Sequence, residues 1–363
     1  MRDYLFTSES VTDGHPDKIC DQIADSILDA ALAQDKDSKM AVEATIKDEL
    51  ILVYGEANTK ATIDFAKIAT DVLRSIGYDE EYDVIVKVSG QSAEINQAVT
   101  GHQEIAAGDQ GIMFGYATNE TENYMPLAID TAHKLAQRLC ALRWEDKRIK
   151  PDGKTQVTVL YHDNKPVSID TIVVSTQHVA DISQAQLHEL VKKEVIDKVV
   201  DPKWITKDTK YFINPSGSFI VGGSFGDSGT TGRKIVVDTY GGMGRIGGGC
   251  FSSKDPSKVD RSAAYYSRFV AKNLVAAGLA DRCEIQLSYA IGQTRPISLL
   301  VETFGTHHID QDAIYAWVNR NFDFSVGNII RELDLLKPIY RRTSNFGHFG
   351  RDGFSWEALK TTK

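Results

Sequence analysis

Arg233, Lys234, Lys254 and Lys258 lie in or just beyond a stretch, Gly222 to Gly249, that packs 11 of the chain's 28 glycines and also carries Asp227 and Arg245. That combination points to a polyanion. Glycines let backbone N–H groups approach phosphate closely, and lysine and arginine neutralise charge that backbone dipoles alone do not hold. A second cluster sits near the N-terminus, Ser8-Glu9-Ser10-Val11-Thr12-Asp13-Gly14-His15-Pro16-Asp17-Lys18. Pro16 suits a first helical turn, which puts His15 and Asp17 at the positive end of the helix, where they either cap the helix or meet a phosphate or metal-phosphate group. A polyphosphate needs hard cations, and Mg²⁺ takes carboxylate together with phosphate oxygens, so Asp17 and Asp260 are the candidate metal ligands. Farther along, Asp21, Asp25 and Asp29 continue at four-residue spacing and read as a solvated acidic face. Glu43 and Glu56 interrupt strands built on Val42, Ile51 and Val53; they read as solvent-facing carboxylates that would hold a cation or an ammonium group only near a domain seam.

Other patterns in the glycine-rich stretch lack the context their chemistry needs. Gly242-Met243-Gly244-Arg245-Ile246-Gly247 matches GxGxxG after an expected strand, Ile235 to Thr239, yet Ser-Ser-Lys-Asp-Pro follows where a dinucleotide fold opens its helix. Gly222-Gly223-Ser224-Phe225-Gly226 matches a nucleophile elbow but runs into Asp-Ser-Gly-Thr-Thr-Gly instead of a supporting helix. Gly226-Asp227-Ser228-Gly229 echoes a serine-protease motif without the secreted, disulfide-bonded setting. No GxxxxGK[ST] loop is present, which excludes an ordinary P-loop ATPase.

The elements that must position these residues repeat. Pro16 to Ala33 reads as a helix, Met40 to Thr45 and Leu50 to Glu56 as a hairpin, the run after Asn58 as a helix ended by Gly77, and Tyr82 to Val88 as a strand. The order returns with a helix at Leu127 to Leu142, a hairpin of Thr155 to Tyr161 and Val167 to Thr176 around Asp163-Asn164, a helix at Ser183 to Val199 and a strand at Tyr211 to Val221. A third copy has a helix at Arg261 to Ala277, a hairpin of Cys283 to Ala290 and Ile297 to Thr303, and a helix at Asp310 to Asn321. Three such units imply three α+β domains, each a β-sheet covered by helices. The expected domains are 1–100, 107–221 and 222–358, exchanging segments near the joints. Both joints carry a Gly-Asp-x-Gly element, Gly108-Asp109-Gln110-Gly111 and Gly226-Asp227-Ser228-Gly229, so one site assembled from several units is expected.

Composition bounds the partners. At 363 residues the chain is long for one core, and its net charge of −9 argues against broad binding to nucleic acid or an anionic membrane. MRDYLFTSES lacks the regions of a signal peptide and no long apolar run appears, so a cytoplasmic protein is expected. Cys20, Cys140, Cys250 and Cys283 form no zinc spacing and read as reduced thiols.

Across nearly its whole length the chain resembles the methionine adenosyltransferases, or S-adenosylmethionine synthetases. The residues that carry the resemblance are Phe6-Thr7-Ser8-Glu9-Ser10-Val11 with Gly14-His15-Pro16-Asp17-Lys18, Gly108-Asp109-Gln110-Gly111 with Gly115-Tyr116-Ala117-Thr118-Asn119-Glu120, Thr231-Gly232-Arg233-Lys234, Gly248-Gly249-Cys250-Phe251-Ser252-Ser253-Lys254-Asp255 and Gly347-His348-Phe349-Gly350-Arg351. The resemblance implies three similar domains in a pseudo-threefold arrangement. It also implies a reaction in which methionine sulfur attacks C5′ of ATP and the triphosphate leaves, then is hydrolysed to pyrophosphate and phosphate.

Carried over by position, the catalytic set is His15, Lys154, Arg233, Lys234, Lys254 and Lys258. ATP contacts fall on His15, Asp152, Gly153, Lys154, Ser218, Phe219, Asp227, Arg233, Lys234, Cys250 and Lys254, with Phe219 suited to stacking on adenine. Methionine falls to Glu56, Gln91, Asp227 and Lys258. Two Mg²⁺ per site fall to Asp17 and Asp260, and one K⁺ to Glu43. Gln91-Ser92-Ala93-Glu94-Ile95-Asn96-Gln97-Ala98-Val99-Thr100-Gly101 resembles the family's lid over the site. A homodimer or a dimer of dimers, with the site at the subunit interface, is also implied. The chain departs from the family pattern at Ala106, Ser218, Ser224 and Thr230, where glycine, arginine, proline and leucine are usual.

Overall fold

The computed structural model describes residues 3–90 and 105–361, and they form three sheets flanked by helices. The strands are β1 (Asp3–Val11), β2 (Lys39–Lys47), β3 (Leu50–Asn58), β4 (Asp83–Ser89), β5 (Gly111–Thr118), β6 (Ile149–His162), β7 (Lys165–His178), β8 (Lys210–Ile213), β9 (Gly229–Thr230), β10 (Arg282–Tyr289) and β11 (Ser298–Glu302). The longer helices are α1 (Pro16–Leu32), α2 (Phe65–Ile76), α3 (Leu127–Glu145), α4 (Gln184–Val191), α5 (Val259–Ala276), α6 (Gln311–Asn321) and α7 (Val326–Glu332). The sheets run β4-β3-β2-β9, β1-β6-β7-β8 and β11-β10-β5.

Local chemistry explains most boundaries. His15 caps α1 by accepting the Asp17 N–H, with Pro16 in the first turn. Gly77 ends α2 in the left-handed region at φ 106°, as its position predicts. Asp163 and Asn164, at φ 47° and 63°, make the two-residue turn of the β6–β7 hairpin, the conformation that matches strand twist. The β2–β3 turn is also two residues, Asp48-Glu49, shorter than the four-residue link the sequence suggests.

Three expected elements differ. The strand predicted over 211–221 stops at Ile213, because Asn214 at φ 42° and Gly217 at φ 95° turn the chain. The predicted helix 183–199 is α only to Val191, widening into a π-helical turn over Lys192–Ile196 before a last turn at Asp197–Val199. Ile235–Asp238 is a single helical turn and not a strand, closed by Asp238 N–H on the Lys234 carbonyl at 2.8 Å.

Each repeat completes a sheet with a strand from elsewhere in the chain. β1 pairs with β6 from Asp3↔His162 to Val11↔Lys154, and β5 pairs with β10 from Gly111↔Tyr289 to Thr118↔Arg282. The short β9 pairs with β2 at Thr45 and Ile46. The exchange is cyclic: the chain before the first unit completes the second sheet, the first joint completes the third, and the second joint completes the first. β5 lies close against α5, and a Cβ on Gly115 would meet the Ser267 carbonyl carbon at 2.0 Å. One apolar core spans the first and third units, from Ile19, Ile23 and Val42 to Val270, Ile285 and Val301, while Leu135, Val157, Ile172 and Val191 belong to the second. No described helix is long and apolar enough to cross a membrane.

At the joint of β1 and α3, the Ser10 hydroxyl meets His133 Nδ1 at 2.8 Å. Burial, helped by the charges of Arg351 and Lys18, lowers the His133 pKa to about 3. Its unfolded counterpart titrates near 6.5. Below that value the unfolded chain takes a proton that the folded imidazole refuses, so this stabilisation is present above 6.5 and is lost as pH falls toward 3. His133→Asn is therefore less stable than wild type at pH 7.5, and the deficit shrinks by about 2 kcal/mol at pH 5. Urea unfolding at both pH values checks it, and a constant deficit refutes it.

Candidate active site

The N-terminus of α1 is the meeting point of all three units. After Val11 the chain crosses Gly153, where Thr12 N–H donates to the carbonyl at 3.0 Å, and reaches Gly14, whose carbonyl accepts the Tyr78 hydroxyl at 2.8 Å. Tyr78 also packs on Gly223, at φ 59° and with no room for a Cβ, so the second glycine-rich joint closes against the same point.

Asp17, 2% exposed, accepts the Thr230 N–H at 2.9 Å on one carboxylate oxygen and Lys234 Nζ at 2.5 Å on the other, with Arg233 Nε 3.7 Å away. Burial works to raise its pKa, but the Lys234 bond, the Thr230 N–H and nearby positive charge hold it below the usual carboxylate range. His15 is driven the other way. Burial first and then the charge of Lys234 lower its pKa to about 3, with Lys154 and Lys18 adding to the effect against Asp17. The imidazole is thus neutral at pH 7. Its Nδ1 accepts the Asp17 N–H at 3.2 Å, which leaves the proton on Nε2 as a free-standing donor.

A second cationic arm follows the glycines. Lys254 Nζ lies 2.5 Å from Asp260 Oδ2 at the start of α5, and its backbone bridges Ala41 on β2. Ala41 also faces Glu56 on β3, so register places Lys254 and Glu56 on either side of it. Cys250 joins the two arms, for a Cβ on Gly232 would lie 2.7 Å from its Sγ. Burial raises the Cys250 thiol to about 11, so it is a neutral wall and not a nucleophile. Lys258 instead grips the buried Asp255 at 2.6 Å, and Asp255 also takes the Met40 N–H at 2.8 Å.

The remaining predicted residues lie on other strands and loops. Asp152, raised to about 6 by burial, accepts the Gly223 N–H at 2.8 Å, and the charge of Asp227 acts on it. Asp227 is exposed at the end of a helical turn, Gly223–Gly226, and Phe219 is half-buried against His178, which accepts its N–H at 3.0 Å. Ser218 and Lys154 are exposed. Ser224 is buried at 1% exposure, which removes the elbow reading. Glu43, half-buried beside Tyr54, and the exposed Glu56 share the face of the β2–β3 pair turned away from the helices. Glu56 stands opposite Ser89, two residues before Gln91, but Gln91 and the rest of the expected lid, 91–101, lie outside the described residues. A cavity of about 740 Å³ lies elsewhere, between Asn119–Thr131, Asp201–Trp204 and Gly350, and no predicted site residue lines it.

The solvated reading of Asp21, Asp25 and Asp29 is wrong. Asp21 and Asp25 are fully buried and Asp29 is half-buried, each with fixed partners. Asp21 accepts Lys18 Nζ at 2.8 Å and the Gly232 N–H at 2.9 Å; Lys18 also reaches Asp238 at 2.5 Å. Asp25 takes both Arg261 Nη atoms at 2.7 and 2.8 Å together with the Ser252 hydroxyl and the Ser253 N–H. Asp29 accepts the Tyr340 and Arg341 N–H groups at 2.8 and 2.9 Å. Little in the local sequence marks this: Ile19, Cys20, Ile23, Ala24, Ile27, Leu28 and Ala31 form one broad apolar face of α1, while the acids, with Lys18 and Gln22, occupy the opposite face.

Among the described residues no group of three His, Cys, Asp or Glu side chains could hold a metal alone. Asp17 and Asp260 each offer one ionisable oxygen donor beside a lysine, which fits Mg²⁺ arriving with phosphate oxygens in its shell.

Three family models together match nearly the whole chain. Residues 3–102 match the N-terminal domain of S-adenosylmethionine synthetase, residues 104–219 its central domain and residues 221–358 its C-terminal domain.

The buried Asp25–Arg261 pair beneath the Lys254 arm gives a stability test. Arg261→Met leaves Asp25 without its cation and lowers unfolding free energy by about 3–5 kcal/mol. Urea unfolding reads it, and a change within about 1 kcal/mol refutes the pairing.

Proposed function

The chain belongs to the S-adenosylmethionine synthetase family and has methionine adenosyltransferase activity, and we propose from that premise how its residues divide the reaction. Methionine sulfur attacks C5′ of ATP in line, the C5′–O bond breaks with its electron pair going to the triphosphate, and water then splits the triphosphate to pyrophosphate and phosphate. The nucleophile is neutral and the leaving group is a polyanion, so stabilising the departing oxygens governs the barrier. The single observation that carries this assignment is the convergence of His15, Arg233 and Lys234 on Asp17 at the N-terminus of α1.

His15 Nε2–H donates to the departing oxygen as a neutral imidazole, because the Asp17 N–H occupies Nδ1. Arg233, Lys234, Lys254 and Lys154 carry the fixed positive charge that the triphosphate needs. Asp152, Gly153, Ser218, Phe219, Asp227 and Cys250 bind the nucleoside side of ATP. Glu56, Gln91, Asp227 and Lys258 hold methionine. Asp17 and Asp260 hold Mg²⁺ and Glu43 holds K⁺; bound there, the cations supply further charge to the phosphoryl oxygens. Residues 91–101 close over the bound substrates and exclude water.

The active unit is a homodimer or a dimer of dimers, and its site is at the subunit interface in the cytoplasm. Support comes from the sheet faces turned away from the helices. They present Leu5, Leu50, Ile85, Ile112, Val167 and Leu300, each at least 40% exposed, beside Glu43 and Lys154. The domains act as residues 1–100, 107–221 and 222–358.

Incubation with ATP, methionine, Mg²⁺ and K⁺, with products identified by mass, yields S-adenosylmethionine, pyrophosphate and phosphate. ADP, or turnover independent of methionine, overturns the proposal. Lys254→Ala lowers kcat by about 10²–10³-fold while shifting Tm by only a few degrees, the loss expected when one preorganised donor to developing charge is removed. Equal loss of folding and turnover would mean a structural lysine.

A further inference from the structure

We infer that Asp21 is a positioning residue for the reaction: its buried carboxylate fixes the Gly232 N–H and thereby sets where Arg233 and Lys234 stand. The inference rests on the reading of the site just given. Residues 229–230 pair with the edge of β2 as β9, beside α1, and the chain turns at Thr231–Gly232, with Gly232 at φ 80°. Thr230 N–H donates to Asp17 and Gly232 N–H to Asp21, both at 2.9 Å, while the intervening Thr231 N–H donates the other way, to the Ala44 carbonyl at 3.0 Å. Ala44 N–H returns a bond to the Thr231 hydroxyl at 3.0 Å.

This fit has a metric basis. Two residues of near-extended chain advance about 6.6 Å and four residues of helix about 6 Å, so carboxylates four apart on a helix can meet amides two apart where a strand ends. Asp21 cannot swing away, because Lys18 holds its second oxygen at 2.8 Å and is itself held by Asp238 at 2.5 Å, all three side chains being buried. The next turn repeats the arrangement for the other arm. Asp25 accepts the Ser253 N–H at 3.2 Å, one residue before Lys254. The rise of α1 between Asp21 and Asp25 therefore sets the separation of the arms that bear Lys234 and Lys254. Asp29, one turn on, holds Tyr340 and Arg341 and carries no arm of the site.

Asp21→Asn tests this. Its one carbonyl oxygen can face Gly232 or Lys18 but not both, and the amide nitrogen meets a donor in either orientation. The expected result is a fall in kcat of about tenfold or more and a comparable weakening of inorganic tripolyphosphate binding in Mg²⁺, with KM for methionine within about twofold. Asp29→Asn, which loosens the same helix at a rung remote from the arms, retains kcat and tripolyphosphate affinity. Thr231→Val, which removes the hydroxyl bond to the Ala44 N–H and so loosens the loop on the β2 side without burying a new charge, shows a smaller fall in the same direction and keeps the test open if Asp21→Asn does not fold. Wild-type kcat and tripolyphosphate affinity in folded Asp21→Asn or in Thr231→Val overturn the inference, as does an equal kcat loss in Asp29→Asn. Absence of S-adenosylmethionine from the wild type overturns the functional reading instead, and the tripolyphosphate measurement still decides this one.

Discussion

Carboxylates repeating every fourth residue along a helix buried on all sides are the constraint on which the rest of the structure depends. Asp17 and Asp21 reach Thr230 and Gly232 in the loop before Arg233, Asp25 the serines before Lys254, and Asp29 the Tyr340–Arg341 turn. Those segments are far apart in sequence and largely irregular. Glycine-rich chain has little side-chain surface with which to find its place, so its location is set by where its N–H groups find acceptors. α1 supplies those acceptors at a fixed pitch.

The cyclic exchange of strands serves the same end. Because β9 completes the first sheet, the loop that follows it leaves the edge of β2 directly over α1. Because β1 lies beside β6, the end of β1 delivers Gly14 and His15 next to Asp152, Gly153 and Lys154. Because β5 lies on α5, Gly111 comes close to the Asp260 carboxylate, within 3.0 Å of where its Cβ would stand. No single repeat contains the candidate site: the exchanged strands bring the cation-bearing joints against β2, β3, β6 and α5.

Much of this was legible in the sequence because it is local. The period of Ile19, Ile23 and Ile27, the stop at Gly77 and the Asp163-Asn164 turn are decided by a few neighbouring residues, and the repeat of helix, hairpin and helix follows from them. The charged residues proposed for the site stand out in the same way, since glycine density and cation spacing suggest a polyanion whatever the topology. What was not legible is pairing at a distance. Nothing near Asp21 announces Gly232, and nothing near Asp25 announces Arg261, more than two hundred positions away. Read locally, acids at helical spacing opposite an apolar face are a solvated face, and nothing on α1 itself argues otherwise. The strand expected at Ile235 to Thr239 failed for a related reason: β-branched residues favour strands, but Asp238 is drawn inward to Lys18, and the segment closes into a turn.

Stability alone does not account for so many buried charges. Apolar residues of similar volume in place of Lys18, Asp21, Asp25, Asp238 and Arg261 would be no less stabilising, since removing ions from water offsets most of what their attraction returns. An apolar core cannot, however, accept the N–H groups of Gly232 and Ser253. Left without acceptors in a buried setting, each would cost about 1–3 kcal/mol, and the loops would relax toward solvent to recover them. The cations of the ladder follow from that need: a buried carboxylate that accepts those N–H groups requires a fixed counter-charge, and Lys18 and Arg261 provide it. Charge is thus spent below the loops so that Lys234 and Lys254 are held above them by single carboxylates, Asp17 and Asp260, leaving both ammonium groups able to accept a phosphate oxygen as a new partner.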